Sequence, residues 1–391
     1  MPRVQSVIRT LDELHGLSTE EREALLPVTD VFEFRVSRFY SSLIDWSDPS
    51  DPLRRLILPS AEELAGELDL DPSDERQNTP VPNVQHKYDQ TALVLVSDIC
   101  ASYCRFCFRK RFTLAASDHH QIRVSDRQAG ETSLSPSEAL EYIAEHPEID
   151  NVLVTGGDPL MLSPRRIREL GLEIAAIPHV RLIRFGTKVP AFDPERITTE
   201  MVKAITAPLE LDVGVHLMAH FTHPRELTSL ARDRTAAIRV AGAAIFNQTP
   251  LLRGVNDNPD DLVALFRELA AWAITPYYVF QCRPTRGNES YFLTLQEGLT
   301  ITEQVRRRLN GLAKTFRYII SHKSGKLEVV GRTSEWLILR YHQSRRAEDQ
   351  ERIVLLPVDE PTCWPQDAAL SAESHRDIAE PMASNPQRAL A

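Results

Sequence analysis

The sequence predicts an α/β protein built on parallel strands, either a partial (β/α)6 barrel or a doubly wound sheet. Six short runs in the middle of the chain are rich in apolar and β-branched residues, as buried parallel strands are. Helical stretches separate these runs, and three of them open on helix-start residues followed by proline, at Ser135, Ser163 and Asn258. Six strand–helix pairs are too few for the usual eight-fold barrel.

A polar turn follows each of the six predicted strands. The strands are expected at residues 92–97, 151–155, 180–185, 211–217, 243–246 and 276–281. The carboxyl ends of parallel strands meet at one edge, which is where ligands bind in both arrangements. Because the turns contain thiols, a Gly-Gly pair and imidazoles, we expect a functional site along that edge.

Changes of pattern along the chain divide it into four segments. They are a helical arm (1–85), the barrel (86–290), a small α/β extension (291–365) and a tail expected to be disordered (366–391). Ser18 or Thr19 is the expected cap of a helix in the arm, because acidic residues follow directly. A polar, Pro-rich stretch at 71–83, here called the connector, leads from the arm into the barrel.

Composition narrows the class of protein. The chain has 391 residues, and a hydrophobic content of 42% suffices for a large core. A net charge of −10 disfavours a nucleic-acid groove. The start shows no apolar leader, and no apolar run approaches the ~20 residues that span a bilayer, so we expect a cytoplasmic protein without a membrane partner. Five cysteines in such a chain indicate ligands rather than disulfides.

Three of those cysteines lie within eight residues, directly after the first predicted barrel strand. The stretch SDICASYCRFCFRKRF contains Cys100, Cys104 and Cys107. Thiols at this spacing suit zinc or an iron–sulfur cluster. Three are one short of the four that a [4Fe–4S] cube uses, which leaves one iron open to a small molecule. The zinc alternative needs His119 or His120 as a fourth ligand.

The CxxxCxxC loop, with Phe106 between its second and third cysteines, resembles that of the radical S-adenosylmethionine (SAM) superfamily. The resemblance implies a [4Fe–4S] cluster on the three cysteines, with SAM on the open iron and Phe106 beside it. A one-electron reductant such as flavodoxin or ferredoxin then cleaves SAM, and the 5′-deoxyadenosyl radical takes a hydrogen atom from the substrate. The TGGD turn resembles the superfamily's Gly-Gly-Glu turn, so Gly156, Gly157 and Asp158 are expected to bind SAM.

Further motifs are similar to those of the lysine 2,3-aminomutase family over roughly residues 20–330. The similar stretches are YCRFCFRKRF, VLVTGGDPLML, FGTKVP, HFTHPREL, NQTPLLRGVNDNPDDL and PYYVFQC. The resemblance implies a radical SAM partial barrel against which the arm packs, self-association, and an aminomutase that uses pyridoxal phosphate (PLP). Gln248, which ends the fifth predicted strand, is then expected to bind a polar edge of a cofactor.

The PLP pattern of that family is incomplete here. Gly325-Lys326-Leu327 resembles the end of the motif that carries the PLP lysine, which makes Lys326 the expected anchor and Lys323 its rival. The two arginines that hold the phosphate in the family correspond to Lys87 and Thr91. Two alternatives stay open: a PLP-dependent aminomutase, and a PLP-independent epimerase, dehydrogenase or rearranging enzyme. A non-enzymatic zinc-binding protein is a more distant one.

The substrate end departs from the family as well. Arg109 matches the family's carboxylate-binding arginine. Arg283 stands where the lysine enzymes have an aspartate for the distal ammonium group, and it would repel that group. Two arginines at one edge suit an acidic or phosphorylated small molecule. We therefore expect an aminomutase-type isomerisation of an anionic, amino-acid-like substrate other than free lysine.

Overall fold

One large sheet organises the chain in the computed structural model, which describes residues 7–113 and 136–370. The strands are β1 (Val7–Ile8), β2 (Val36–Ser37), β3 (Val84–Tyr88), β4 (Thr91–Ser97), β5 (Asn151–Gly156), β6 (Leu182–Thr187), β7 (Gly214–Ala219), β8 (Ala244–Leu251), β9 (Thr275–Gln281), β10 (Arg317–His322), β11 (Gly325–Arg332), β12 (Trp336–Ser344) and β13 (Ile353–Pro357). Strands β1 and β2 form a small sheet of their own. The other eleven form one sheet in the order β13-β12-β11-β10-β9-β8-β7-β6-β5-β4-β3.

The central part of this sheet is parallel, as predicted. Neighbouring strands from β4 to β10 all run parallel, with antiparallel β3 at one end and antiparallel β11 to β13 at the other. The six strands expected from the sequence are β4 to β9. Strand β10 is a seventh parallel strand that the sequence analysis did not separate from the lysine-containing stretch after it, because a tight reversal joins it to β11.

Helices follow the strands and bury apolar faces against the sheet. They are α1 (Thr19–Thr29), α2 (Arg38–Ser41), α3 (Pro52–Ile57), α4 (Lys110–Thr113), α5 (Ser137–Glu145), α6 (Pro164–Ala175), α7 (Val189–Phe192), α8 (Thr199–Thr206), α9 (Ser229–Val240), α10 (Pro259–Ala271) and α11 (Leu295–Arg308). Ser18, Ser163 and Asn258 cap their helices through the side chain, as predicted. The expected start at Ser135 lies outside the described residues.

The sheet curls so that its inner face encloses a polar interior. Along β5 to β8, fully buried apolar side chains alternate with half-buried ones that include Arg184, His216 and Gln248. The curl brings the two ends of the parallel region together, since Lys87 Nζ on β3 donates to the carbonyl of His322 on β10 at 2.6 Å. These features confirm the partial barrel.

The N-terminal arm packs closely on the barrel. A single cluster of buried apolar side chains extends from Ile8 in the arm to Leu370 beyond the last strand. The hydroxyl of Tyr40 donates to Glu226 at 2.7 Å across 186 positions of sequence. The arm and the barrel therefore share one core, as the family resemblance implied. The exact boundaries of the four segments stay predictions.

The described residues contain no helix that could cross a membrane. Every helix there is too short or too polar to cross a bilayer.

Candidate active site

The cysteine loop is held in place by the arm. The Tyr103 amide donates to the carbonyl of Arg35 at 2.8 Å, and the Arg105 amide donates to that of Leu56 at 2.9 Å. The Arg105 guanidinium binds Glu63 through two bonds of 2.9 and 2.6 Å, and both side chains are almost fully buried. A buried ion pair with this bidentate geometry fixes the loop, because either partner alone would be a desolvated charge.

The three thiols lie together on this loop and are partly exposed. A turn joins two of them, since the Cys107 amide donates to the Cys104 carbonyl at 3.0 Å. Burial raises the pKa of the Cys100 thiol, and the neighbouring Asp158, Cys107 and Cys104 add to the shift. Thiols in such surroundings stay protonated until a metal replaces the proton. Three soft donors on one accessible loop fit three corners of an iron–sulfur cube.

A single zinc ion needs a different arrangement. It would hold its sulfur ligands within about 3.8 Å of one another, given its short tetrahedral bonds. Within residues 7–113 and 136–370, no three His, Cys, Asp or Glu side chains are placed to share one ion. His119 and His120, the proposed fourth zinc ligands, lie outside the described residues.

The Gly-Gly turn at the end of β5 packs directly against the start of the cysteine loop. Gly156 has a φ of +130°, and a Cβ there would overlap the carbonyl oxygen of Ser97. A Cβ on Gly157 would lie 2.6 Å from the carbonyl oxygen of Ile99. Only glycine allows this approach, so the turn presents bare backbone beside the thiols.

Asp158 stabilises that turn with its carboxylate. It accepts hydrogen bonds from Thr187 Oγ1 at 2.8 Å, from the Lys188 amide at 2.8 Å and from the Leu160 amide at 3.0 Å. Burial raises its pKa to about 6, although these hydrogen bonds favour the charged form. The carboxylate is thus engaged within the protein, which makes Asp158 a positioning residue for the turn. Direct contact between Asp158 and SAM stays a prediction.

A second buried ion pair lies next to Cys104. Lys188 Nζ contacts Glu226 at 2.8 Å, and the same carboxylate accepts from the hydroxyl of Tyr40. Lys188 also donates to Thr222 Oγ1 at 3.0 Å. The two charges of this network, on Lys188 and Glu226, neutralise each other. The network therefore stabilises the protein next to the cysteine loop without needing a ligand.

Lysines in the barrel interior have only neutral hydrogen-bond partners. Lys326 Nζ, on β11, donates to Gln343 Oε1 at 2.6 Å and lies 4.7 Å from the centre of the Tyr88 ring. Burial lowers its pKa to about 7, and the positive charges of Arg184 and Lys87 add to the effect. Burial, followed by Arg283, likewise lowers the pKa of Lys87 to about 7. We call Lys87, Lys326 and Arg184 the basic cluster.

The remaining residues of the predicted PLP site differ in their surroundings. Lys323 is half exposed and pairs with Asp367 at 2.5 Å, and this hydrogen bond raises its pKa. Arg184 of the basic cluster donates to Asn151 Oδ1 at 2.9 Å. Thr91, at the position of a family arginine, contacts the same asparagine through its hydroxyl at 3.4 Å. Arg184 therefore lies in the neighbourhood where the family's second arginine is missing.

The two arginines predicted to bind substrate both contact one aromatic ring. The guanidinium carbons of Arg109 and Arg283 lie 4.8 and 3.7 Å from the centre of the Phe108 ring. Arg283 also donates to Ser321 Oγ at 2.7 Å, and burial lowers its pKa to about 10. Glu75 of the connector lies 3.0 Å from Arg109, and the positive charge of Arg283 also lowers its pKa. The sequence analysis missed Glu75, because an acidic residue in an irregular polar segment carries no pattern.

Two other predicted residues are near the site without a defined role. Gln248 is half-buried on β8 and faces the polar interior. Phe106 packs edge-on against Tyr291 at 6.4 Å, and its carbonyl accepts from Asn288 at 2.9 Å. Their contacts with SAM or another cofactor stay predictions.

A parallel partial barrel, three thiols on the loop after its first strand and a Gly-Gly turn after the second define a radical SAM protein. The model of the radical SAM superfamily matches residues 94–267. The iron–sulfur cluster and SAM follow from this superfamily.

Comparison with individual proteins places the chain in the lysine 2,3-aminomutase family, to which it belongs. It is 41% identical over 354 residues to a protein of Aquifex aeolicus (strain VF5) named "Putative L-lysine 2,3-aminomutase", covering 90% of this chain and 91% of that protein. It is 33% identical to L-lysine 2,3-aminomutase of Fusobacterium nucleatum, covering 80% and 70%. It is 32% identical to glutamate 2,3-aminomutase of Clostridioides difficile, covering 81% and 71%. The protein is thus an enzyme of the isomerase type, and the non-enzymatic alternative is wrong.

Proposed function

We propose that the protein is a PLP-dependent aminomutase that acts on an anionic α-amino acid. When bound, the iron–sulfur cluster and SAM supply a radical that removes a hydrogen atom from the substrate, and PLP supplies the group through which the amino nitrogen migrates. Cys100, Cys104 and Cys107 would hold the cluster. The backbone of Gly156 and Gly157 would approach SAM, because the turn lies beside the thiols.

The observation that carries the proposal is the state of Lys326. Lys326 is half-buried, has the neutral oxygen of Gln343 as its hydrogen-bond partner, and has a pKa lowered to about 7. A lysine reacts with an aldehyde as the neutral amine, so burial prepares Lys326 for covalent attachment of PLP. Lys323 is a poorer candidate, because its half-exposed ammonium is held in an ion pair.

The rest of the basic cluster suits the phosphate of PLP. Lys87 and Arg184 lie close enough to Lys326 to lower its pKa, and both are largely buried. Buried cations without a carboxylate partner are costly unless an anion joins them. A phosphate supplies that anion, and Lys87 would compensate in part for the arginine that Thr91 replaces.

The arginine pair, Arg109 and Arg283, supports an anionic substrate. One guanidinium would bind the α-carboxylate and the other an acidic group on the side chain, while a distal ammonium group would face repulsion from Arg283. A relative in the family is named glutamate 2,3-aminomutase. L-Glutamate is therefore the first substrate to test, with L-lysine as the comparison.

Borohydride trapping tests the PLP assignment. Anaerobically reconstituted protein is incubated with PLP, reduced, digested and analysed by mass spectrometry. We expect PLP on Lys326 in the wild type and in Lys323→Ala, and no trapped PLP in Lys326→Ala, which should still bind iron and cleave SAM. PLP on another lysine would refute the assignment. A wild type that never binds PLP would favour the PLP-independent alternative.

Product analysis tests the reaction. The enzyme is incubated with SAM, reduced flavodoxin or ferredoxin and either L-glutamate or L-lysine, and the products are separated by chromatography. We expect β-glutamate to form and β-lysine to be absent or far less abundant. Formation of β-lysine at the higher rate would exclude the proposed substrate class.

A further inference from the structure

The connector carries a charged carboxylate into the proposed substrate site. Glu75 Oε1 lies 3.0 Å from Arg109 Nε, and both side chains are only 12% exposed. Burial alone would raise the pKa of Glu75, but the positive charges of Arg109, Arg283 and Arg111 outweigh it and the pKa is lowered. Glu75 is therefore an ionised, desolvated partner of the arginine pair.

The contacts of Arg109 favour Glu75 over its other neighbours. The Nη1 and Nη2 atoms lie 3.4 Å from Thr155 Oγ1 and 3.5 Å from Gln85 Oε1, which is long for hydrogen bonds. The contact with Glu75 has the ordinary length of a charge-assisted bond. A substrate carboxylate that binds Arg109 side-on, through Nε and one terminal nitrogen, has to take the place of Glu75, because Nε already carries the contact with Glu75.

The balance of charges at the two arginines also indicates that Glu75 has to leave Arg109 when a dicarboxylate binds. Two arginines and Glu75 leave one positive charge for a ligand, which matches an amino acid with a single carboxylate. A dicarboxylic amino acid would bring three carboxylates to two guanidinium groups if Glu75 stayed, and like charges at this distance repel. Removal of Glu75 from the pair restores two carboxylates to two arginines.

We propose that Glu75 is the resting counter-ion of the substrate site and that a dicarboxylic substrate displaces it from Arg109. This inference rests on the proposed function, since it requires a substrate carboxylate at the arginine pair. The backbone of the connector can stay in place during the exchange, because the Glu75 amide donates to Asp71 Oδ1 at 2.8 Å and Asp71 pairs with Arg111 at 3.7 Å. Only the side chain of Glu75 then has to move away from Arg109.

Because a substrate carboxylate has to displace Glu75 from Arg109, Glu75 helps to determine which anions the site binds. An acidic molecule that reaches one arginine loses as much as it gains, because it replaces an existing ion pair. A molecule that binds both arginines together gains a second charge-assisted contact that offsets the loss. The spacing of the two acidic groups thus decides which anions bind.

Equilibrium dialysis of the cluster- and PLP-loaded enzyme tests the displacement. The probes are labelled L-glutamate, succinate, and L-glutamine, which has nearly the shape of L-glutamate with one negative charge fewer. We expect Glu75→Gln to bind both dicarboxylates about tenfold more tightly than the wild type, since a charged hydrogen bond no longer has to be broken. L-Glutamine should also bind more tightly to Glu75→Gln than to the wild type, because its carboxylate then meets an arginine without a competing anionic partner.

Asp74→Asn is the matched control. It removes one negative charge from the same connector, and asparagine tolerates the positive φ of 54° at this position. We expect wild-type affinity for all three probes. An equal gain in Asp74→Asn and Glu75→Gln would overturn the inference by assigning the effect to the overall charge of the connector.

Two further outcomes separate this inference from the proposed function. If the wild type binds L-glutamate and Glu75→Gln binds it equally well or less tightly, Glu75 stays in place and the inference is wrong, while the proposed function stands. If neither protein binds either dicarboxylate, the inference and the proposed anionic substrate are both wrong.

Discussion

Lys188 is buried and Lys326 is half-buried, and their partners differ. Lys188, beside the cysteine loop, contacts the carboxylate of Glu226 at 2.8 Å. Lys326, in the barrel interior, has the amide oxygen of Gln343 as its hydrogen-bond partner and lies near further positive charges. A buried cation that already has its anion supports the structure, whereas a buried cation with a neutral partner is poised for a ligand.

The same contrast separates the two regions as a whole. At the cysteine loop, Arg105 is matched by Glu63 as Lys188 is by Glu226. In the basic cluster, Lys87 donates to a backbone carbonyl and Arg184 to an asparagine. The charges at the cysteine loop are thus neutralised within the chain, whereas the hydrogen-bond partners of Lys87 and Arg184 are neutral.

The largest expected effect concerns the cysteine loop. Cys104→Ser should lose the iron–sulfur cluster, because serine is a poor ligand for iron–sulfur clusters. Iron content should fall from about four per chain to near zero, and 5′-deoxyadenosine formation should stop. Iron analysis and chromatography check both. Cys363→Ser, a half-buried cysteine outside the barrel, should behave as the wild type; full iron content in Cys104→Ser would contradict the cluster assignment.

The next effect tests whether Lys188 is structural. Lys188→Met should lower the free energy of unfolding by about 3–5 kcal/mol, because it leaves Glu226 buried without its cation. Urea denaturation of cluster-free protein measures the change. The exposed Lys203→Met serves as the control and should change stability by less than about 0.5 kcal/mol.

Lys87→Met tests the opposite case, a lysine of the basic cluster whose partner is neutral. It removes a desolvated ammonium group whose hydrogen-bond partner is the His322 carbonyl, so stability should change by less than about 1.5 kcal/mol. Its affinity for PLP should fall about tenfold or more through loss of a charged contact to phosphate. A stability loss as large as that of Lys188→Met would mean that the two lysines have the same role.

A variation in pH, which leaves the sequence unchanged, tests the state of Lys326. The pKa of Lys326 is lowered to about 7, so the amine is protonated below this pH and neutral above it. The initial rate of PLP capture should rise about tenfold per pH unit below pH 7 and level off above it, since only the neutral amine reacts. Stopped-flow absorbance follows the capture. A rate that still rises through pH 9 would indicate an ordinary, solvated lysine.

The sequence predicted those parts of the site that are formed by residues close together along the chain. The cysteine loop and the Gly-Gly turn were found because each is a short motif directly after a strand, and parallel strands place such motifs side by side. The proximity of Arg109 and Arg283 also followed from two strand ends. The structure adds that they share the ring of Phe108.

Other parts depend on contacts between distant segments, which local patterns do not encode. Glu75 reaches Arg109 across 34 positions, and Lys87 reaches His322 across 235. The hydrogen bonds that the Asp158 carboxylate accepts from Thr187 and two backbone amides were likewise not predicted from the sequence. The seventh parallel strand was missed because its residues merge with the lysine-containing stretch.

The contact between Lys87 and His322 has a mechanical consequence. Among the described strands, β3 and β10 share no backbone pairing, so the Lys87 side chain joins the two strands through the His322 carbonyl. A ligand held by Lys326 on β11 and by Lys87 on β3 would bridge the open side of the barrel. Binding of such a ligand would also hold β3 and β10 together. Backbone amides of β3 should then exchange their hydrogens more slowly when the ligand is bound.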